Sequence, residues 1–158
     1  MKNKIYLLVF VAVFFGCKKT ETPAVSAKLD LIAGEMAKDW FIRNAVVGID
    51  QNGTDRQIAL LLDCESDDKW TFNRDGSLIV NDNLSKCQGQ PAERLNTLWT
   101  ADDTFDNMTI VKWQLSNSGA KSNVIFEIKN LTDSTMTLSG GSGLLTNTNS
   151  ITINYRTR

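Results

Sequence analysis

Between residues 39 and 155 the chain is written in short runs in which apolar and polar side chains alternate, each run closed by Asn, Asp, Gly or Ser. Successive side chains on a strand point to opposite faces, so a period of two is what a half-buried sheet requires and a helix cannot use. The first run covers residues 39–49, with Trp40, Ile42 and Val46 as its marks, and Asn52-Gly53 follows as a turn pair. Lys69–Phe72 and Ser77–Val80 then flank Asn73-Arg74-Asp75-Gly76. Asp-Gly between two such runs is a strong hairpin signal, because glycine takes the positive φ that the turn demands. Further strands are expected at Leu98–Thr100, Met108–Trp113, Val124–Ile128, Thr135–Ser139 and Ile151–Tyr155. That makes about eight short strands at hairpin-like spacing. The expectation is an all-β fold, an eight-stranded up-and-down meander closed into a barrel, with a sandwich as the alternative. The run 57–62 lacks alternation and reads equally as a short helix or a buried strand. Residues 29–34, Leu-Asp-Leu-Ile-Ala-Gly, suit a short helical segment stopped at Gly34.

The N-terminus is organised differently. Lys2 and Lys4 precede eleven unbroken apolar residues, Ile5 to Phe15. A bilayer span needs about 20 apolar residues, so this stretch suits the cleaved core of a secretory signal. It ends in Phe14-Phe15-Gly16-Cys17, which resembles a bacterial lipobox, although Phe14 and Phe15 are bulkier than the usual residues. The resemblance implies cleavage after Gly16 and acylation of Cys17, with palmitate among the chains. Residues 1–16 are thus expected to be a lipoprotein signal peptide, 17–27 a lipidated tether rich in polar and small residues, and 28–158 the domain. Each buried methylene of such an anchor adds about 0.8 kcal/mol, so the expected membrane attachment is durable.

Lipidation also accounts for an odd number of cysteines. The chain has three, and an exported protein with one thiol left over calls for an explanation. With Cys17 acylated, Cys64 and Cys87 remain as the intramolecular pair, whose bridge is expected to stabilise the fold by roughly 3 kcal/mol. A redox or metal role is the competing reading; it lacks both a histidine and C-x-x-C spacing.

An ordered series of signals, Leu31-x-x-Gly34, Trp40, Asp63-Cys64, Asp67-Asp68 before Trp70-x-Phe72, Asp75-Gly76-Ser77, Cys87 and Trp99, resembles the lipocalin-like domain of Bacteroidota lipoproteins over residues 28–140. The resemblance implies an eight-stranded up-and-down barrel and a link between Cys64 and Cys87. Lipocalins carry Gly-x-Trp on the first strand; here residues 35–39 separate Gly34 from Trp40, and no lipocalin ligand is carried over.

The residues offer little to catalysis. There is no histidine, which removes the commonest general base and most zinc sites. Asp67-Asp68 and Asp102-Asp103 with Asp106 lack a calcium-loop pattern and read as turn charges, and Gly140–Gly143 lacks the context of a phosphate cradle. No catalytic residue, metal or cofactor is therefore expected, and the chain is read as a non-enzyme. Without the first 16 residues the 17 basic side chains become 15, against 18 acidic ones, and no basic face recurs, so nucleic acid is not an expected partner. Trp40, Trp70, Trp99 and Trp113 each sit in a strand-like run, where core packing is the default and lining a pocket is the functional alternative. Asp133-Ser134-Thr135 resembles an O-glycosylation consensus of the same phylum, making Ser134 the candidate acceptor. The leading expectation is a lipid-anchored protein of the bacterial envelope, at the outer membrane, binding a small apolar or glycan ligand. A solid-cored structural or protein-interaction module is the alternative, and a carboxylate enzyme the third.

Overall fold

A computed structural model describes residues 23–51, 54–59, 61–89, 93–113, 122–140 and 150–158. Among these residues one helix, α1 (Pro23–Ala33), precedes nine strands: β1 (Ala37–Gln51), β2 (Thr54–Ala59), β3 (Lys69–Asn73), β4 (Ser77–Asn81), β5 (Glu93–Ala101), β6 (Asn107–Trp113), β7 (Ser122–Leu131), β8 (Thr135–Gly140) and β9 (Ser150–Arg156). Strands β3 to β9 follow one another as an antiparallel meander, and β1 pairs with both β3 and β9. The result is a closed eight-stranded up-and-down barrel. The ninth strand, β2, is a hairpin partner of the far half of β1, from Val46 to Gln51. The undecided run 57–62 thus supplies the end of a strand; its last residues lead to a single 3₁₀ turn at Asp63–Glu65.

The alternating pattern fills the inside of the barrel. Trp70 and Phe72, Leu78 and Val80, Met108 and Ile110, Met136 and Leu138, and Ile151, Ile153 and Tyr155 are buried at every second position of their strands. Strand β1 keeps this alternation only by breaking it once. Its pairing with β9 shifts between Ile42 and Asn44, so Arg43 is the extra residue of a β-bulge. Trp40 and Ile42 face inward before the bulge, Ala45 and Val47 after it. Val46, marked from strict alternation, is therefore on the other face.

Helix α1 closes the end of the barrel at which β1 begins. Ile32 and Ala33 are fully buried against the core, with Leu29 partly so. Gly34 ends the helix as expected, with φ +63° and its N–H donating to the Asp30 carbonyl at 2.9 Å. The last carbonyls of a helix lack internal partners; here the barrel supplies them. Trp40 Nε1 donates to the Ile32 carbonyl at 2.8 Å, Lys38 Nζ to that of Leu31 at 2.8 Å, and Arg74 to that of Gly34 at 2.9 Å. The helix starts at Pro23, earlier than the segment 29–34, so residues 23–27 of the expected tether are helical. Proline suits a first helical turn, because its missing N–H would find no partner there anyway.

The hairpin at Asp75-Gly76 forms as read. Gly76 has φ +88°, and the Asp75 carboxylate accepts from Ser77 N at 2.8 Å, which holds its pKa below the ordinary value. The β5–β6 turn is built the same way around Asp102, which accepts from the Asn107 amide at 2.7 Å, Asp106 N at 2.9 Å and Thr104 Oγ1 at 3.1 Å. These bonds, the Asn107 side chain first, pull its pKa down to about 2. A carboxylate depressed on folding supports the fold above its unfolded pKa, near 3.8, and that support is lost as pH falls through about 2. Asp102→Asn is therefore expected to cost stability at neutral pH, and its deficit against the parent protein should shrink between about pH 4 and pH 2. Urea midpoints at stepped pH read this; a constant deficit would refute it.

Candidate functional site

The interior is a packed aromatic chain rather than a set of separate rings. Trp70 meets Tyr155 edge to face at 5.7 Å, Tyr155 meets Phe72 at 6.2 Å, and Phe72 meets Trp99 at 5.5 Å. Trp40 and Trp99 are tied by their indole N–H groups, Trp40 to Ile32 and Trp99 to the Asn73 carbonyl at 3.0 Å. Trp40, Trp70 and Trp99 thus belong to one hydrophobic cluster with the other inward side chains. Trp113 ends β6, and its side chain lies outside the described residues, as does Cys17. The Tyr155 hydroxyl and Trp70 Nε1 are buried without a hydrogen-bond partner among the described residues, and burial drives the Tyr155 pKa far above its ordinary value. Relieving an unpaired buried hydroxyl removes a desolvation cost, so Tyr155→Phe is expected to raise stability by about 1 kcal/mol. A clear loss in urea unfolding would instead reveal a hidden partner for the hydroxyl.

The polar cavity lies on the outside. A depression of about 400 Å³ on the barrel wall is lined by Arg43, Asn44, Asn130, Thr137, Asn154 and Arg156, together with Thr135 and Tyr155. Four consecutive strands of the closed sheet, β7, β8, β9 and β1, bring these residues together. Asn44 stands opposite Asn154, Asn154 opposite Thr137, and Thr137 opposite Asn130. Across them runs a hydrogen-bonded row: Thr137 Oγ1 donates to Asn154 Oδ1 at 2.8 Å, and Asn154 Nδ2 donates to Asn44 Oδ1 at 2.7 Å. Beside it Asn130 Nδ2 donates to Thr135 Oγ1 at 3.0 Å. Two bulges flank the depression, at Arg43 and at Lys129. A bulge bends its strand and re-aims side chains, which places Arg43 on the outer surface next to Asn44.

Apart from Thr135 in the Asp133-Ser134-Thr135 triplet, none of these residues was singled out from sequence. On strict alternation Arg43, Thr137, Asn154 and Arg156 are simply outward polar positions, whereas Asn44 shares the parity of Trp40 and Ile42, and Asn130 that of Val124 and Phe126, so that the bulges at Arg43 and Lys129 turn both outward. Asparagine, however, is disfavoured within strands, and Asn44, Asn130 and Asn154 all sit inside strands on neighbouring positions of one face. Mid-strand asparagines were the available signal.

The other sequence-selected positions fall elsewhere. Cys64, in the 3₁₀ turn before β3, and Cys87, in the segment after β4, are disulfide-bonded with Cα atoms 5.2 Å apart. Ser134 is exposed at the β7–β8 turn, where its carbonyl accepts from Thr157 N at 3.0 Å. Asp67 Oδ2 accepts from Leu84 N at 2.7 Å and Ser85 N at 3.1 Å, tying the segment after β4 to the turn before β3. Among the described residues no three Cys, Asp or Glu side chains are placed to hold a metal ion. No protein-family model matches the chain, and no curated protein or solved structure is significantly similar to it.

Proposed function

We propose that this chain is a lipid-anchored lipoprotein of the bacterial envelope, with a lipocalin-like barrel that binds rather than converts its ligand, and that the ligand is a polar one held on the barrel wall. One observation carries the reading: the inward side chains are consumed in a hydrophobic core, whereas the convergent polar groups line the outer depression between Arg43 and Arg156. Ligand sites combine a concave surface of roughly 300–1,000 Å³ with a few fixed polar groups, and the depression meets that description. An envelope glycan suits it better than an apolar molecule. The described barrel is also apolar within and polar without, the reverse of barrels that cross membranes by their strands. Attachment through acylated Cys17 is consistent with that polarity.

Two measurements test this. Cys17→Ala is expected to abolish palmitate incorporation and release the protein from the membrane fraction; unchanged fractionation would refute the anchor. Isotope-labelled full-length protein in detergent, titrated with soluble envelope glycans, should show shift changes at residues 43–44, 130, 137 and 154–156. Changes confined to other residues would refute the wall site.

A second reading has its own support. Leu98 on β5 and Ile125 on β7 are 54% and 64% exposed on the outer surface, with only β6 between their strands. Such a pair suits contact with a protein partner of the outer membrane. Cross-linking from residue 98 in native membranes should then capture one companion in constant ratio, and no captured species would count against it.

A further inference from the structure

We infer that the wall depression is a site for a sugar acid: a polyhydroxylated ring bearing one anionic oxo group, either carboxylate or phosphate. This rests on the wall reading above and adds the ligand's charge. Arg43 and Arg156 are exposed, line the depression from adjacent strands, and have no hydrogen bond or ion pair from their side chains among the described residues. Elsewhere Lys28 pairs with Asp106, Lys69 with Asp39, Arg74 with Asp30, and Lys129 with Glu127, while Lys112 and Arg158 form no ion pair among the described residues; Arg43 and Arg156 are set apart by lining the same depression. Two guanidiniums left without acids in one concavity, on a chain with more acidic than basic residues, form a local positive site. The planar fork of arginine matches a carboxylate or phosphate with two parallel hydrogen bonds.

The neutral half of the site says what else the ligand carries. The row from Thr137 through Asn154 to Asn44 uses one N–H of Asn154 and the Asn44 carbonyl oxygen. Both N–H groups of Asn44 and one of Asn154 have no partner among the described residues. Asn130 donates to Thr135 and keeps its own carbonyl oxygen open. Unused donors therefore sit on β1 and β9, and both an unused acceptor and an unused donor on β7. An inorganic anion uses only the donors. Hydroxyl groups both donate and accept, so a ring carrying several of them can engage the whole row, whose members stand on strands about 4.8 Å apart.

Full-length protein in detergent would be titrated with trigalacturonate, with glucose 6-phosphate and with the neutral sugar maltotriose. At least one of the two acidic probes is expected to bind more tightly than maltotriose, with affinity falling as salt rises, since exposed charges are screened beyond about 8 Å at physiological ionic strength. Which acidic probe wins distinguishes carboxylate from phosphate. Arg43→Gln and Arg156→Gln should each weaken the acidic probe by roughly ten- to a hundredfold and leave maltotriose unaffected, the scale of one charged hydrogen bond. Arg→Lys at either position should restore only part of it. Both side chains are exposed, so the urea midpoints of these variants should match the parent's. Equal binding of maltotriose and the acidic probes, indifferent to both arginines, would overturn the sugar acid and leave the wall site standing. No shift at the wall with any probe would sink both.

Discussion

Trp40→Ala is expected to remove about 3–5 kcal/mol of stability, the range for deleting a large buried aromatic side chain. Trp40 has no exposed surface and stands where three parts of the molecule meet. Its ring belongs to the barrel core, its Nε1 donates to the Ile32 carbonyl at 2.8 Å, and Lys38 lies over its face with Nζ 4.7 Å from the centroid. Truncation opens a cavity, orphans a helix-end carbonyl, and unseats α1 at once. A domain holds only about 5–15 kcal/mol in all, so the variant should be partly unfolded near 37 °C. Trp40→Phe separates the contributions. It keeps most of the ring and loses the hydrogen bond, and its deficit in urea unfolding should be clearly smaller. A Trp40→Ala deficit under 1 kcal/mol would show that α1 is not held through this residue.

The second large effect belongs to the covalent link. Replacing Cys64 and Cys87 together by Ser is expected to cost about 3 kcal/mol, the chain-entropy value for a loop of this size, given their separation of 23 residues. The bridge ties the turn before β3 to the segment after β4, so it clips the open end of the β3–β4 hairpin. That hairpin adjoins β1 through β3 but contributes no residue to the wall depression, which is lined from β7, β8, β9 and β1. Stability and binding should therefore separate. The double variant should unfold at lower urea yet bind the glycan probes as the parent does, wherever it is still folded. Loss of binding from the folded variant would tie the two sides together and contradict this.

Much of the barrel was legible because its rules are local. Asp75-Gly76 announced a turn, Gly34 a helix stop, and Trp70-x-Phe72 or Met136-x-Leu138 an inward face, each through residues within a few positions of one another. Features set by distant partners were not legible. The bulge at Arg43 exists only in relation to β9, and it turned Ala45 and Val47 inward where Val46 had been expected. Strand β5 begins at Glu93, well before the Leu98-Trp99-Thr100 run, because β4 offers it a partner as early as Asn81. Helix α1 extends back to Pro23 although that stretch has no apolar period; its C-terminal residues dock on the barrel and hold it there. The candidate site was the least visible of all. Arg43 and Arg156 are far apart in the chain, and only closure of the sheet makes them neighbours.

That closure has a kinetic consequence. Ile42 pairs with Tyr155 and Val47 with Ile151, so the first strand, already paired with β3, gains its second barrel neighbour only when nearly the whole chain is available. Contacts of such sequence separation are slow to form, and until they do, β1 and β8 present unpaired edges that invite association between molecules. A chain emerging N-terminus first must keep one edge of its opening strand unpaired while six further strands of the barrel collect into a sheet beside it. The last strand, Ser150–Arg156, then decides whether a ring or an open, adhesive sheet results. A chain stopped before Ser150 would leave β1 and β8 without the neighbour they share, so β9 serves as the checkpoint of assembly.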